Sequence, residues 1–275
     1  MASKRPRPRP KQVSRTPAWL PPAAFAGGLA VVVGIFLAYR WYTTPAAPPP
    51  LQPNVTQVLV DAISSLPASE FDGIGQGTAT QPIVKVSGKP ATGPTGKPLV
   101  FYEGAEYCPY CAAERWPMII ALSRFGTFSG LATTSSSSTD VYPNTPTFTF
   151  LHASYTSQYI DFVSVETSDR NQNPLQTPTT TEQAMVDAYD RSNSIPFVDF
   201  GNRYAFSGST FIPDILAGNS WQDVASALQS PSSPQAKAIL GSANLLTAAI
   251  CKLTGDQPAA VCSSATIQAL EQKLG

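Results

Sequence analysis

The feature that most constrains this chain is Cys108-Pro-Tyr-Cys111, set directly after the apolar run Leu99-Val100-Phe101-Tyr102 and directly before a helix-like stretch, Ala112 to Phe125. A short apolar run, a turn and a helical pattern read as a buried strand leading into a helix. Cys108 is then expected in the first helical turn, where unpaired backbone N–H groups and the positive end of the helix dipole favour thiolate over thiol. The thiolate is the nucleophile of disulfide exchange, so this setting points to a redox dithiol. The same four letters also fit half of a zinc site or a short structural disulfide.

Formal charge is even, 18 Lys+Arg against 18 Asp+Glu, but its distribution is not. Lys4, Arg5, Arg7, Arg9, Lys11 and Arg15 precede the first long apolar run, and no acid occurs before Asp61. With Arg40 that makes seven basic residues in the first 40 positions, leaving 11 Lys+Arg against 18 Asp+Glu, a net of −7, for the rest. A nucleic-acid binder carries its basic surface on the folded domain, so no nucleic-acid partner is expected. Ala18 to Tyr39 contains no charged residue, about the ~20 residues that cross a bilayer. Trp19 at one end and Tyr39, Trp41 and Tyr42 at the other are placed like interfacial anchors, and the positive-inside rule puts the basic tail in the cytoplasm. The expected organisation is a disordered cytoplasmic tail at 1–17, a transmembrane helix in the lipid bilayer at 18–42, a Pro-rich stalk at 43–54 and an extracytoplasmic folded domain at 55–275. A cleaved signal peptide is the alternative, with Thr44-Pro45-Ala46-Ala47 as its poor cleavage site. Either way the body is exported.

Export bears on the remaining cysteines. In an oxidising compartment Cys251 and Cys262, eleven residues apart, suit a disulfide closing a short loop. The other option is one zinc held by all four cysteines, a site usually built from two close-spaced pairs, of which only Cys108/Cys111 is present. His152, the single histidine, could complete a copper site with the dithiol or be an ordinary strand-end residue. The dithiol chemistry itself calls for no cofactor and no metal.

Around these landmarks the pattern alternates between strands and helices. Asn54 is expected to cap a short helix carrying Val55, Leu59, Ile63 and Leu66, with Pro67 as its stop. Gly73 to Gly77 reads as a turn and Ile83 to Val86 as a strand. The helix after the cysteines holds Pro117, where a kink is expected. Leu131 to Ser138 begins like a strand and ends in serines that read as a solvated connection. Thr147 to Leu151 and Tyr159 to Val165 read as strands, and Thr180 to Arg191 as a helix. Ile195 to Phe200, Gly201-Asn202 and Arg203 to Phe206 read as strand, turn and strand. Helices are expected around Trp221–Leu228, Gln235–Leu253 and Thr266–Leu274.

Strand, C-x-x-C, helix, strand, helix, then Ile-Pro before a hairpin and a final helix: this order resembles the thioredoxin superfamily. The resemblance implies an α/β, thioredoxin-like fold with Pro196 as a cis proline beside the dithiol. Eighty-five positions separate Cys111 from Pro196, more than a minimal thioredoxin uses, so the resemblance also implies an insertion between the C-x-x-C helix and that strand; the N-terminal transmembrane helix and a helical C-terminal extension come from the patterns above. Without the resemblance, Pro196 reads equally as a trans proline opening an edge strand. Pro109-Tyr110 is the dipeptide found in glutaredoxins and would tune the redox poise. Where the superfamily often has a buried acid six positions before the first cysteine, this chain has Tyr102, with Glu103 next to it as a candidate for that role. More closely, Tyr102 to Cys111 and Ala248-Ala249-Ile250-Cys251 resemble signatures of a membrane-anchored prokaryotic group, domain-of-unknown-function family 929. That likeness implies that Cys251 and Cys262 belong to the domain.

The expected activity is therefore extracytoplasmic thiol-disulfide exchange, with Cys108 as nucleophile, Cys111 as resolving thiol and Pro196 shaping a groove for exported protein thiols or disulfides. A membrane electron-transfer partner would complete the cycle. The competing expectation is a non-catalytic binding or chaperone-like module in which Cys108–Cys111 is a structural staple.

Overall fold

The computed structural model describes residues 20–43, 49–80 and 83–274. The chain divides into two units, Met1–Pro45 and Ala46–Gly275. Among the described residues of the first unit, helix α1 (Leu20–Thr43) carries the uncharged run from Leu20 onward. Its described side chains, among them Leu29, Ile35 and Phe36, are exposed. The tail expected at 1–17 and positions 44–48 of the expected stalk lie outside the described residues.

The second unit opens with α2 (Pro53–Ser64), α3 (Ala68–Ile74) and β1 (Val84–Lys85), then β2 (Leu99–Gly104) and α4 (Pro109–Ser123). Four short strands follow, β3 (Gly126–Ser129), β4 (Ala132–Ser135), β5 (Pro146–Thr149) and β6 (Ser154–Ser157). Next come β7 (Asp161–Glu166), α5 (Thr180–Tyr189), β8 (Phe197–Phe200) and β9 (Tyr204–Ser207). A 3-10 turn at Pro213–Leu216 leads to α6 (Trp221–Leu228), α7 (Pro234–Thr254), α8 (Ala259–Cys262) and α9 (Ala265–Leu274).

Period-2 alternation in the strands builds a sheet buried on both faces. Its order is β1-β9-β8-β2-β7. β2 runs parallel to β7 and antiparallel to β8. Val100 and Tyr102 of β2, with Val198 and Phe200 of β8, join the larger core shared with α4 and α7. Leu99 and Phe101, with Phe197, meet Met185 and Val186 of α5 on the other face. The residues between α4 and β7 form two two-stranded antiparallel sheets outside this sheet, β3 with β6 and, between them in sequence, the β4–β5 hairpin. This hairpin is tied to the helices by the indole N–H of Trp116, which donates to Pro146 O at 2.9 Å, and that of Trp221, which donates to Thr147 O at 2.6 Å. This is the mixed α/β architecture expected.

By length and hydropathy α7 would pass for a membrane span, yet it is the central core helix, with Ile239, Leu240, Ala248 and Ala249 fully enclosed. Gly241 lets it approach the turn after α3, since a Cβ there would collide with the backbone carbonyl of Gln76. Asn244 seals that contact by donating to Phe71 O and Gly75 O, each at 2.8 Å.

Local readings differ in instructive ways. α2 begins at Pro53 with Gln52 at its N-cap, so Asn54 does not cap it and the end of the expected stalk is helical. The fixed φ of proline suits the first helical position and its missing N–H costs nothing there. The serines after Leu131 are not a solvated connection: Thr133 through Ser137 are all buried. Their polarity is satisfied from within, Ser136 N by Thr145 O, Ser137 N by Tyr107 O and Ser136 Oγ by Tyr142 O.

Candidate functional site

β2 ends at Gly104, and the chain turns through Ala105–Tyr107 into α4. The turn is pinned by Glu106 N donating to Ser168 O and Cys108 N donating to Ala105 O. Cys108 is the N-cap of α4 and Pro109 its first residue. In place of the usual capping oxygen, Cys108 Sγ accepts the backbone N–H of Cys111 at 3.3 Å. A sulfur capping a helix in this way sits where orphan N–H groups converge.

Both thiols are free. Both cysteines are buried, but Cys108 keeps 6% of its surface exposed and Cys111 none, so Cys108 is the more accessible of the two. Its Sγ also lies 3.7 Å from the carbonyl oxygen of Ile195, to which the thiol donates. Pro196 follows immediately, its peptide bond cis, and the hydrogen bonding of Gly208 N to Pro196 O fixes the start of β8. Cys108, Cys111 and Pro196, 85 positions after Cys111 in sequence, therefore meet.

The two sulfurs are electrostatically unequal. Hydrogen bonding from the Cys111 side chain, helped by the Cys111 N–H and by Arg115, holds Cys108 below the ordinary thiol range against its burial. Burial, then the hydrogen bond to Cys108, pushes Cys111 well above it. A low-pKa accessible thiol paired with a high-pKa enclosed one is an arrangement that can attack with the first sulfur and resolve with the second.

Tyr102, six residues before Cys108, is fully buried on the α4 face of the sheet, and its hydroxyl has no hydrogen-bond partner. Glu103 points to the opposite face, with the α5-side core. Burial, and then its acidic neighbours Glu182, Asp187 and Asp190, raise its carboxyl pKa. Tyr110 is partly exposed and packs edge-on against Tyr142 of the β4–β5 connection, ring centres 6.0 Å apart. The β4–β5 connection thus contributes an aromatic neighbour to the residue two positions after Cys108.

Three groups near the dithiol were not singled out from sequence. Arg115 and Glu166 form a fully buried pair, with Nε to Oε1 at 2.9 Å and Nη2 to Oε2 at 2.6 Å. Glu114, on the next turn after Cys111, is also fully buried. Its Oε2 accepts both the N–H and the hydroxyl of Thr210 at 2.7 Å, and burial raises its pKa to about 8. Adjacent charged residues inside an otherwise apolar helix, Trp116 and Ile119 being their neighbours, were the available signal.

Cys251 and Cys262 are joined to each other, Cα atoms 5.6 Å apart. Among the described residues no cluster of three or more His, Cys, Asp or Glu side chains is placed to hold a metal. His152 lies in the β5–β6 turn at φ 65°. It lines a cavity of about 300 Å³ with Phe128, Tyr155, Phe162 and Gln176.

A mixed α/β domain with a paired dithiol at a helix start is thus the class that this fold and site define. A family described as a domain of unknown function, DUF929, matches residues 82–252, and the chain belongs to it. No curated protein and no solved structure matches the chain.

Proposed function

We propose that this protein is a membrane-anchored, extracytoplasmic thiol-disulfide oxidoreductase of the thioredoxin-like superfamily. The carrying observation is the inequality of the two sulfurs: Cys108 caps α4, retains access to solvent and accepts the Cys111 N–H, while Cys111 is enclosed. The position of Ile195-Pro196 against Cys108 supports the same reading. So does a five-stranded mixed sheet with α4 on one face and α5 on the other.

In the reductive direction the Cys108 thiolate attacks one sulfur of a client disulfide, forming a mixed disulfide and expelling the other client sulfur as thiolate. Cys111 then passes its proton to the released client thiolate and attacks Cys108 Sγ, which breaks the mixed disulfide and expels the second client sulfur as a thiolate that takes its proton from water. The client leaves as a dithiol and the Cys108–Cys111 disulfide remains, two electrons having passed to the client. The oxidative direction is the reverse. Exported proteins bearing thiols or disulfides are the clients, and a membrane electron-transfer partner resets the pair. The uncharged stretch 18–42 anchors the domain in the bilayer with its basic end inside.

Trapping in cells expressing the full chain tests this. Cys111→Ser should accumulate covalent complexes through Cys108 that dissolve on reduction, collect in the membrane fraction and are cleaved by protease added to intact cells; Cys108→Ser should form none. Absence of complexes from Cys111→Ser, together with no turnover of a model disulfide by wild type, would make the dithiol a structural staple in a binding module. Complexes in the soluble fraction would remove the anchor.

A further inference from the structure

The buried Arg115–Glu166 pair begins one turn of α4 after Cys111 and is incompletely hydrogen-bonded. Arg115 follows Cys111 by four residues and Cys108 by seven, so all three share one face of α4. The parallel register of β2 and β7 places Glu166 opposite Gly104. Glu166 is held there by accepting the N–H of Phe150 at 3.2 Å, while its own N–H donates to Gln176 Oε1 at 2.7 Å. The guanidinium carbon stands 5.7 Å from the Tyr102 ring centre. Glu166 takes Nε and Nη2, but the buried Nη1 has no partner, nor has the buried Tyr102 hydroxyl.

A buried guanidinium edge without a partner is costly. A purely structural ion pair in this core would gain by satisfying it or by giving way to apolar residues. Resting on the oxidoreductase reading, we propose that Arg115 is a positioning residue for the dithiol. Its buried charge holds the anionic sulfur of the exchanging pair, and Glu166 orients the guanidinium and limits how much of that charge the sulfurs feel. The groups facing the sulfurs agree: from α4 Cys111, Tyr110 and Arg115, from β2 Tyr102, and from the turn before α4 Tyr107. Of these only Arg115 is cationic, and it favours the thiolate at both cysteines.

Opposite-signed effects distinguish this role from mere packing. The readout is the rate of Cys108 alkylation by iodoacetamide in the reduced full chain at fixed pH below the thiol midpoint. Glu166→Gln, which keeps an acceptor for Arg115 but removes the negative charge, should speed alkylation several-fold. Arg115→Gln in that background leaves no unpaired charge behind, and should slow alkylation about tenfold relative to Glu166→Gln, the effect of removing one nearby opposite charge. Arg115→Lys should restore most of the rate. If Glu166→Gln leaves the rate unchanged or lowers it, or if the double variant matches Glu166→Gln, the proposal is wrong. Should Cys111→Ser still trap clients in that event, the failure belongs to Arg115 alone; if wild-type Cys108 does not alkylate and Cys111→Ser traps nothing, the oxidoreductase reading fails as well.

Discussion

At the scale of single residues, Glu114 makes the most exposed claim. One carboxylate oxygen takes two hydrogen bonds from Thr210 and the other, Oε1, has none; burial keeps the carboxyl protonated in the folded protein up to about pH 8. The unfolded chain releases that proton near the ordinary value of 4.5. Between these two values the native state binds the extra proton, so stability falls as pH rises and the loss is complete above about pH 8, at ~1.4 kcal/mol per pH unit at most. Asp199, raised to about 6 by burial, adds a slope of the same sign. Glu114→Gln removes only its own share. Thermal melts at pH 5 and pH 8 should show the variant near wild type at pH 5 and several degrees more stable at pH 8; parallel profiles would refute the assignment. Cys108, Cys111 and Pro196 were legible because cysteine and proline each do something no other residue does. Arg115, Glu114 and Glu166 were not, because a charge on a buried helix face or strand end looks in sequence like a solvated one until its partner, up to 96 residues away, is known.

At the scale of elements, the C-terminal helices show where a covalent link does what packing cannot. α8 is four residues long and α9 ten, and both are below the length at which a helix holds itself. The Cys251–Cys262 bond ties α8 to the end of the core helix α7, and α9 docks through Ile267, Leu270 and Leu274. For an 11-residue loop the chain-entropy argument gives about 3 kcal/mol. Replacing both cysteines by Ser should cost stability of that order, read as a lowered melting temperature, while leaving Cys108 alkylation within twofold; an unchanged melt, or loss of alkylation, would contradict the separation of the two cysteine pairs. Helices with two or more turns of apolar periodicity, α2, α6, α7 and α9, were legible to within a few residues. α3, β3 and β6 were not, because seven or four residues carry too little pattern. The serine segment in β4 was misread because its burial depends on partners in the β4–β5 hairpin, where Ser136 Oγ also accepts Thr145 N at 2.9 Å.

At the scale of the whole molecule, a sheet buried on both faces sets one helix with its sulfurs on the first face and α5 on the other. The β4–β5 hairpin packs against α4 through Trp116, and Tyr142 in its connection comes up beside Tyr110. The result is a dithiol with one accessible sulfur. Everything proposed for the protein depends on that asymmetry. The direct measurement is residue-resolved alkylation of the reduced full chain across pH, with peptide mass mapping. The account predicts that Cys108 is modified first, with a midpoint below the ordinary thiol value of 9.0, while Cys111 stays protected until the pH lies well above it. Equal labelling of the two, or Cys111 reacting first, would contradict it.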